Sequence, residues 1–208
     1  MPRDLPSNVV EIPEDARSPR RRSESLVKLK AAARKLFVER GYDATRPQDV
    51  AREAGLGHGT FYLHFPDKRA CFLSFVEDAR EELDAYLRER VGHHESLEAQ
   101  IAATLNAIYD YAQSHPGVLA AAMTDEAVID AEGVQAVPLL QRWGGDWARV
   151  LRTAAEEGQA DRKIDPDVVG QAVVGAIHQA AGEGYRSGRS RDTVIKSLTV
   201  FLAKALRP

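Results

Sequence analysis

A single cysteine, Cys71, has no thiol partner within the chain, so an intrachain disulfide and a zinc site built from several thiolates are both excluded. The longest apolar run, Val118 to Met123, falls far short of the roughly 20 residues that cross a bilayer. The first 22 residues mix acids, prolines and arginines and lack the apolar stretch of roughly 7–15 residues that a secretory signal carries. The expected location is therefore the cytoplasm. No segment alternates apolar and polar residues in the manner of a strand, so a phosphate-binding glycine loop of the strand-to-helix kind has nothing to follow. His93-His94-Glu95 lacks the i, i+4 histidine spacing of a zinc-protease helix, His58 and His64 share no helix face, and Cys71 has no identifiable base. These absences argue against an enzyme and imply neither a metal nor a cofactor.

What is present is a chain of 208 residues, 44% hydrophobic and 28% charged, with room for one large domain or two small ones. Its net charge of -3 conceals an uneven distribution. Residues 16–69 hold 13 basic and 6 acidic side chains, whereas residues 70–208 hold 14 and 21. A basic N-terminal third suggests a polyanionic partner for that part alone, and charge by itself does not choose between DNA, RNA and lipid. Residues 1–22 contain four of the ten prolines and no sustained period, and are expected to form a flexible basic arm. The triplet Arg20-Arg21-Arg22 either follows a minor groove or is a solvated run.

After the arm, apolar residues recur three and four apart, which predicts an all-α protein. The first helix is expected from about residue 24 to Arg40, burying Leu26, Leu29, Ala33, Leu36 and Phe37 and ending at Gly41. Thr45 and Gln48 have capping-box spacing, with Pro47 in the first turn of a short helix reaching Ala54. A turn through Gly55-Leu56-Gly57 leads to a second short helix over 57–63, and Asp67 caps a long helix over 67–91. Further helices are predicted over 95–114, 117–130, 134–158, 166–186 and 191–206, with breaks at Gly and Pro. No period of 20–50 residues repeats, which excludes a solenoid. The expected organisation is the arm, a three-helix helix-turn-helix domain over 23–69, and a helical domain over 70–208.

Two short helices joined by a glycine turn behind an amphipathic helix form the helix-turn-helix pattern, whose second helix enters a major groove. In Gly57-His58-Gly59-Thr60-Phe61-Tyr62-Leu63-His64-Phe65, Phe61 and Phe65 are spaced to pack inward while His58, Thr60, Tyr62 and His64 face out. The outward set offers hydrogen bonds and carries no acid, as phosphates and base edges require.

Three stretches carry a resemblance: Ala31-Ala32-Ala33-Arg34-Lys35-Leu36-Phe37-Val38-Glu39-Arg40-Gly41-Tyr42-Asp43-Ala44-Thr45, Asp49-Val50-Ala51-Arg52-Glu53-Ala54-Gly55-Leu56, and Gly59-Thr60-Phe61-Tyr62-Leu63-His64-Phe65 with Lys68. Residues 26–72 resemble the DNA-binding domain of TetR-type transcriptional regulators. The resemblance implies that Thr45 caps the second helix near a phosphate, that Tyr62, His64 and Lys68 contact the backbone, and that His58 and Thr60 face bases. Two departures stand out. Arg46 and Pro47 replace the usual Thr-x pair, and Gly57 stands where a serine commonly caps the recognition helix. Glycine caps almost as well as serine but loses one phosphate-facing hydroxyl, for which Arg46 supplies a charge.

The resemblance also implies a C-terminal domain that binds an effector and dimerises. Trp143 and Trp147 share a helix face, either as core or as the wall of an effector cavity, and Tyr109, Met123 and His178 are further candidates for that wall. Val173, Val174, Ile177, Val194, Leu198, Phe201 and Leu202 on the last two helices are expected to form the dimer interface. The expected function is that of a homodimeric repressor, released from a near-palindromic duplex operator by a largely apolar small molecule. The alternative is an all-helical ligand-binding protein or enzyme with a vestigial helix-turn-helix.

Overall fold

A left-handed residue closes the first helix: Gly41 takes φ 75°, a conformation that its missing Cβ makes inexpensive, and the chain turns out of α1 (Pro19–Arg40) there. The computed structural model describes residues 19–92, 94–123 and 139–208, which form two compact units, one reaching Cys71 and the other running from Phe72 to Pro208. All the regular elements among the described residues are α-helices.

In the first unit, α1 buries Leu29, Ala32, Ala33, Leu36 and Phe37 on one face, as its period requires. It begins at Pro19, earlier than the sequence pattern indicates, so residues 19–22 of the expected arm are helical. Proline is tolerated in a first turn, and an Arg20–Glu24 ion pair at 3.1 Å spans the next one. Residues 1–18 of that arm lie outside the described residues. α2 (Pro47–Glu53) and α3 (His58–Tyr62) follow, joined through Gly55, whose φ of 68° makes the turn. Lys35 on α1 donates to Glu53 at the end of α2 over 2.6 Å.

The capping box expected at Thr45 and Gln48 does not form. Arg46 is the N-cap of α2 and makes no side-chain cap bond. Thr45 is instead fully buried, its hydroxyl donating to the Leu36 and Gly41 carbonyls at 3.3 and 2.8 Å. Leu36 lies in the last turn of α1 and Gly41 just past its end, and these two carbonyls take the hydroxyl that a capping box would have used.

Of α4 (Lys68–Arg90), the first turn falls in the first unit and the remainder in the second. α5 (Leu97–Ser114), α6 (Val118–Met123), α7 (Leu139–Glu156), α8 (Pro166–Arg186) and α9 (Arg191–Leu206) complete the second unit. Ser96, Asp165 and Ser190 cap α5, α8 and α9, each accepting from backbone N–H groups of the first turn. The parts of the expected helices over 117–130 and 134–158 that cover 124–130 and 134–138 lie outside the described residues.

α7 and α8 pack closely because Gly170 brings the two backbones together. A methyl group there would collide with the Gly144 carbonyl and come within 2.8 Å of the Ala148 nitrogen. Ile101, Leu105, Leu151, Val173, Leu198 and Leu202 fill the core between α5, α7, α8 and α9. This corrects the expected dimer interface: Val173, Val174, Ile177, Val194, Leu198 and Leu202 are buried in the chain's own core, and of that set Phe201 alone is exposed, at 59%. The 3.6-residue period identifies an apolar face but not which neighbour covers it.

Candidate nucleic-acid interface and cavity

α3 is a five-residue helix held from beneath by two aromatics. Phe61 and Phe65 are buried with ring centroids 5.5 Å apart, which leaves the rest of the helix surface outside. Tyr62 is 50% exposed and stands edge-on to the exposed His58 ring, 5.3 Å away. Gly57, the N-cap, and Arg46 before α2 are exposed, and Thr60 is half-buried. This surface carries hydroxyls, an imidazole and a guanidinium and no carboxylate, so it can donate to phosphate oxygens and base acceptors without repelling them.

The far end of α3 is tied to the start of α1. Ser25 Oγ lies 2.7 Å from His64 Nε2, and Arg22 donates to the Leu63 carbonyl at 3.3 Å. Burial, and then the Arg22 charge, hold the His64 imidazole below its ordinary pKa. Lys68 donates to the Tyr42 carbonyl at 3.1 Å and its ammonium sits 4.0 Å over the Tyr42 ring. His64 and Lys68 therefore brace the domain. Thr45 is buried, with its hydroxyl bonded to the Leu36 and Gly41 carbonyls, so it is not on this surface, which corrects the expected phosphate contact. Cys71 is buried too, and burial pushes its thiol up to about 12, so it stays protonated and unreactive.

In the second unit a cavity of about 590 Å³ opens between α4, α5, α6, α7 and α8. Leu83 and Leu87 of α4, Ile108 of α5, and Val174 and Ile177 of α8 form much of its apolar wall. Met123, Trp143, Trp147 and His178, four of the five residues expected there, line it. Trp143 and Trp147 also pack with the core. Tyr109, the fifth, does not reach the cavity. It packs half-buried against the core, with the Arg191 guanidinium 5.8 Å from its ring, and burial raises its phenol pKa.

Charged side chains enter the wall from α4 and α7. Asp84 accepts from Arg80 at 2.7 Å, and Asp146 pairs with Arg149. Glu77 accepts from Arg80 and from Arg142, both at 2.7 Å or less, and these bonds hold its carboxyl below the usual range. Asp84 is displaced upward instead, by burial, with Arg80 opposing.

The description "Bacterial regulatory proteins, tetR family" fits residues 29–75, the segment that contains α2, α3 and most of α1. The match to that family is confined to this segment. The uncharacterized helix-turn-helix-type transcriptional regulator YuxN of Bacillus subtilis is 43% identical over 44 residues, a match spanning 21% of this chain and 15% of that protein's length. A protein solved to explain the control of antibiotic production by bacterial hormones superposes with a TM-score of 0.70 at 22% identity, over 92% of this chain and 100% of that one. A TetR-family regulator from a Rhodococcus species gives 0.68 at 21% identity, over 88% of this chain and 99% of that one. The likeness of fold to these structures thus covers most of the chain, while the family match ends at residue 75.

Several cavity residues escaped the sequence reading. Gln100, Thr104 and Ile108 line the cavity at i, i+4 and i+8 on α5, and Leu83 and Leu87 on α4 and Val91 just past its end continue the same spacing. Their spacing marks a buried helix face, and a cavity wall has the same period as a core. The contacts of Arg22 and Ser25 were also missed, since their partners lie about forty residues away in the chain.

Proposed function

We propose that the chain is a sequence-specific DNA-binding transcriptional regulator, a repressor that leaves its operator when a small molecule fills the cavity. The observation that carries this reading is the acid-free face of α3, with Tyr62 half exposed over buried Phe61 and Phe65. On this reading His58 and Thr60 face bases, and Arg46, Gly57, Tyr62, His64 and Lys68 lie along the backbone. The cavity supports the second half. At about 590 Å³ and mostly apolar, it has the size and lining of a small-molecule site.

A second copy of the chain completes the reader, because a near-palindromic site needs two recognition helices one helical turn apart. Val168 and Tyr185 on α8 and Val200 and Phe201 on α9 are exposed apolar side chains, and they replace the buried set as the proposed dimer face. Such a regulator works in the cytoplasm.

The switch follows from linkage. α4 contributes Lys68 to the first unit and Leu83, Asp84 and Leu87 to the cavity wall, so one helix senses both ligands. An effector lowers operator affinity only by its preference for the released conformation, and DNA must weaken effector binding by the same factor. The test is selection of bound DNA from a random duplex pool with purified protein at two salt concentrations. An enriched inverted repeat is expected, and no enrichment at either salt concentration would contradict the proposal.

A further inference from the structure

The described residues that line the cavity and are exposed to solvent are Arg88 near the end of α4, Gly92 just past it, Arg149 on α7 and His178 on α8. Their exposure places them at its mouth, which therefore presents basic side chains from three helices. Leu83, Leu87, Ile108, Val174 and Ile177, buried or half-buried, offer only hydrocarbon further in.

The charges of the lining are unequally answered. Asp84 and Asp146 are half-buried, and each has a guanidinium, Arg80 for the first and Arg149 for the second. Arg88 makes no hydrogen bond or ion pair among the described residues. It stands one turn beyond Asp84 on the same helix, close enough for its charge to be felt there: burial raises the Asp84 carboxyl pKa, and Arg80 and Arg88 oppose the rise. A cationic head would meet Arg88 and find both lining carboxylates already engaged. A carboxylate head at the mouth would keep part of its hydration and meet a guanidinium whose planar fork matches its two oxygens. Pushed into the hydrocarbon recess, the same head would lose its water without a partner. The two ends of such a molecule are thus sorted, chain inward and head outward.

We propose that the cavity takes an amphiphile with a hydrocarbon chain and a carboxylate head, the chain lying in the recess and the head on Arg88 at the mouth. This assignment rests on the cavity being the effector site.

The test uses the full chain with decanoate, decanol and decylamine at pH about 7.5, where the acid is ionised and the amine protonated. Binding is read from the fluorescence of Trp143 and Trp147, the chain's two tryptophans, both of which line the cavity. Decanoate is expected to bind about tenfold more tightly than decanol, the worth of one charge-assisted contact, and decylamine no more tightly than decanol. Arg88→Gln, a change at an exposed side chain, should bring decanoate down to the affinity of decanol, and Arg88→Lys should keep part of the preference. Equal binding of decanoate and decanol, tighter binding of decylamine, or a preference that survives Arg88→Gln overturns the assignment of the head. Failure of all three to bind overturns the assignment of the chain as well. Decanoate titrated into the native protein on its enriched duplex tests the effector reading separately. It should weaken DNA binding, and decanoate that binds without doing so overturns the effector reading while leaving the ligand assignment in place.

Discussion

Thr45 shows how one hydroxyl sets the exit of a helix. Its two acceptors are the carbonyls of Leu36 in the last turn of α1 and of Gly41 just past its end, and the side chain is fully buried. Thr45→Val keeps the shape and removes the donor, so it should destabilise the first unit by about 1–2 kcal/mol, the cost of stranding buried carbonyls, while Thr45→Ser costs less. Denaturant unfolding of the two variants checks this. His64 makes a different prediction. Its pKa is depressed in the folded chain, so its contribution to stability is complete above the unfolded value of about 6.5 and is lost as pH falls through the folded value. His64→Asn should therefore lose less melting temperature than the native chain between pH about 7.5 and about 5.5. Equal losses would mean that His64 is not coupled to folding.

At the scale of elements, glycine separates two kinds of helix contact. Gly170→Ala pushes a methyl into the backbone of α7 and should cost about 1–3 kcal/mol, lowering the melting temperature by several degrees. Gly145→Ala, on α7, meets nothing within 4 Å and should leave it unchanged or raise it. The helices themselves were legible in the sequence, because Gly41, Gly55, Pro47 and Pro166 punctuate them and their apolar period is unbroken. α3 was legible for the same local reason: Phe61 and Phe65 four apart force Tyr62 outward. What the period did not reveal was the identity of the covering surface. Val173, Leu198 and Leu202 read equally well as core or as dimer interface, and only packing in three dimensions places them in the core. Thr45 misled in the same way, since its capping-box spacing is local and its two acceptors are set by the close of α1.

For the whole molecule, the proposed function links dimerisation and DNA binding through the exposed residues of α8 and α9. Phe201→Glu places a charge on the proposed dimer face without entering the core, because Phe201 is 59% exposed. Sedimentation should show the native chain as a dimer and the variant as a 22.9 kDa monomer, with weakened binding to a two-half-site duplex. An unchanged mass would place the interface elsewhere.

The most direct test of the whole account is the salt dependence of affinity for the enriched duplex, measured by fluorescence anisotropy. Two heads neutralising roughly eight phosphates predict a slope of log K against log[salt] near -7. A slope near zero would contradict the account, because it would mean that the basic N-terminal unit does not engage the DNA backbone.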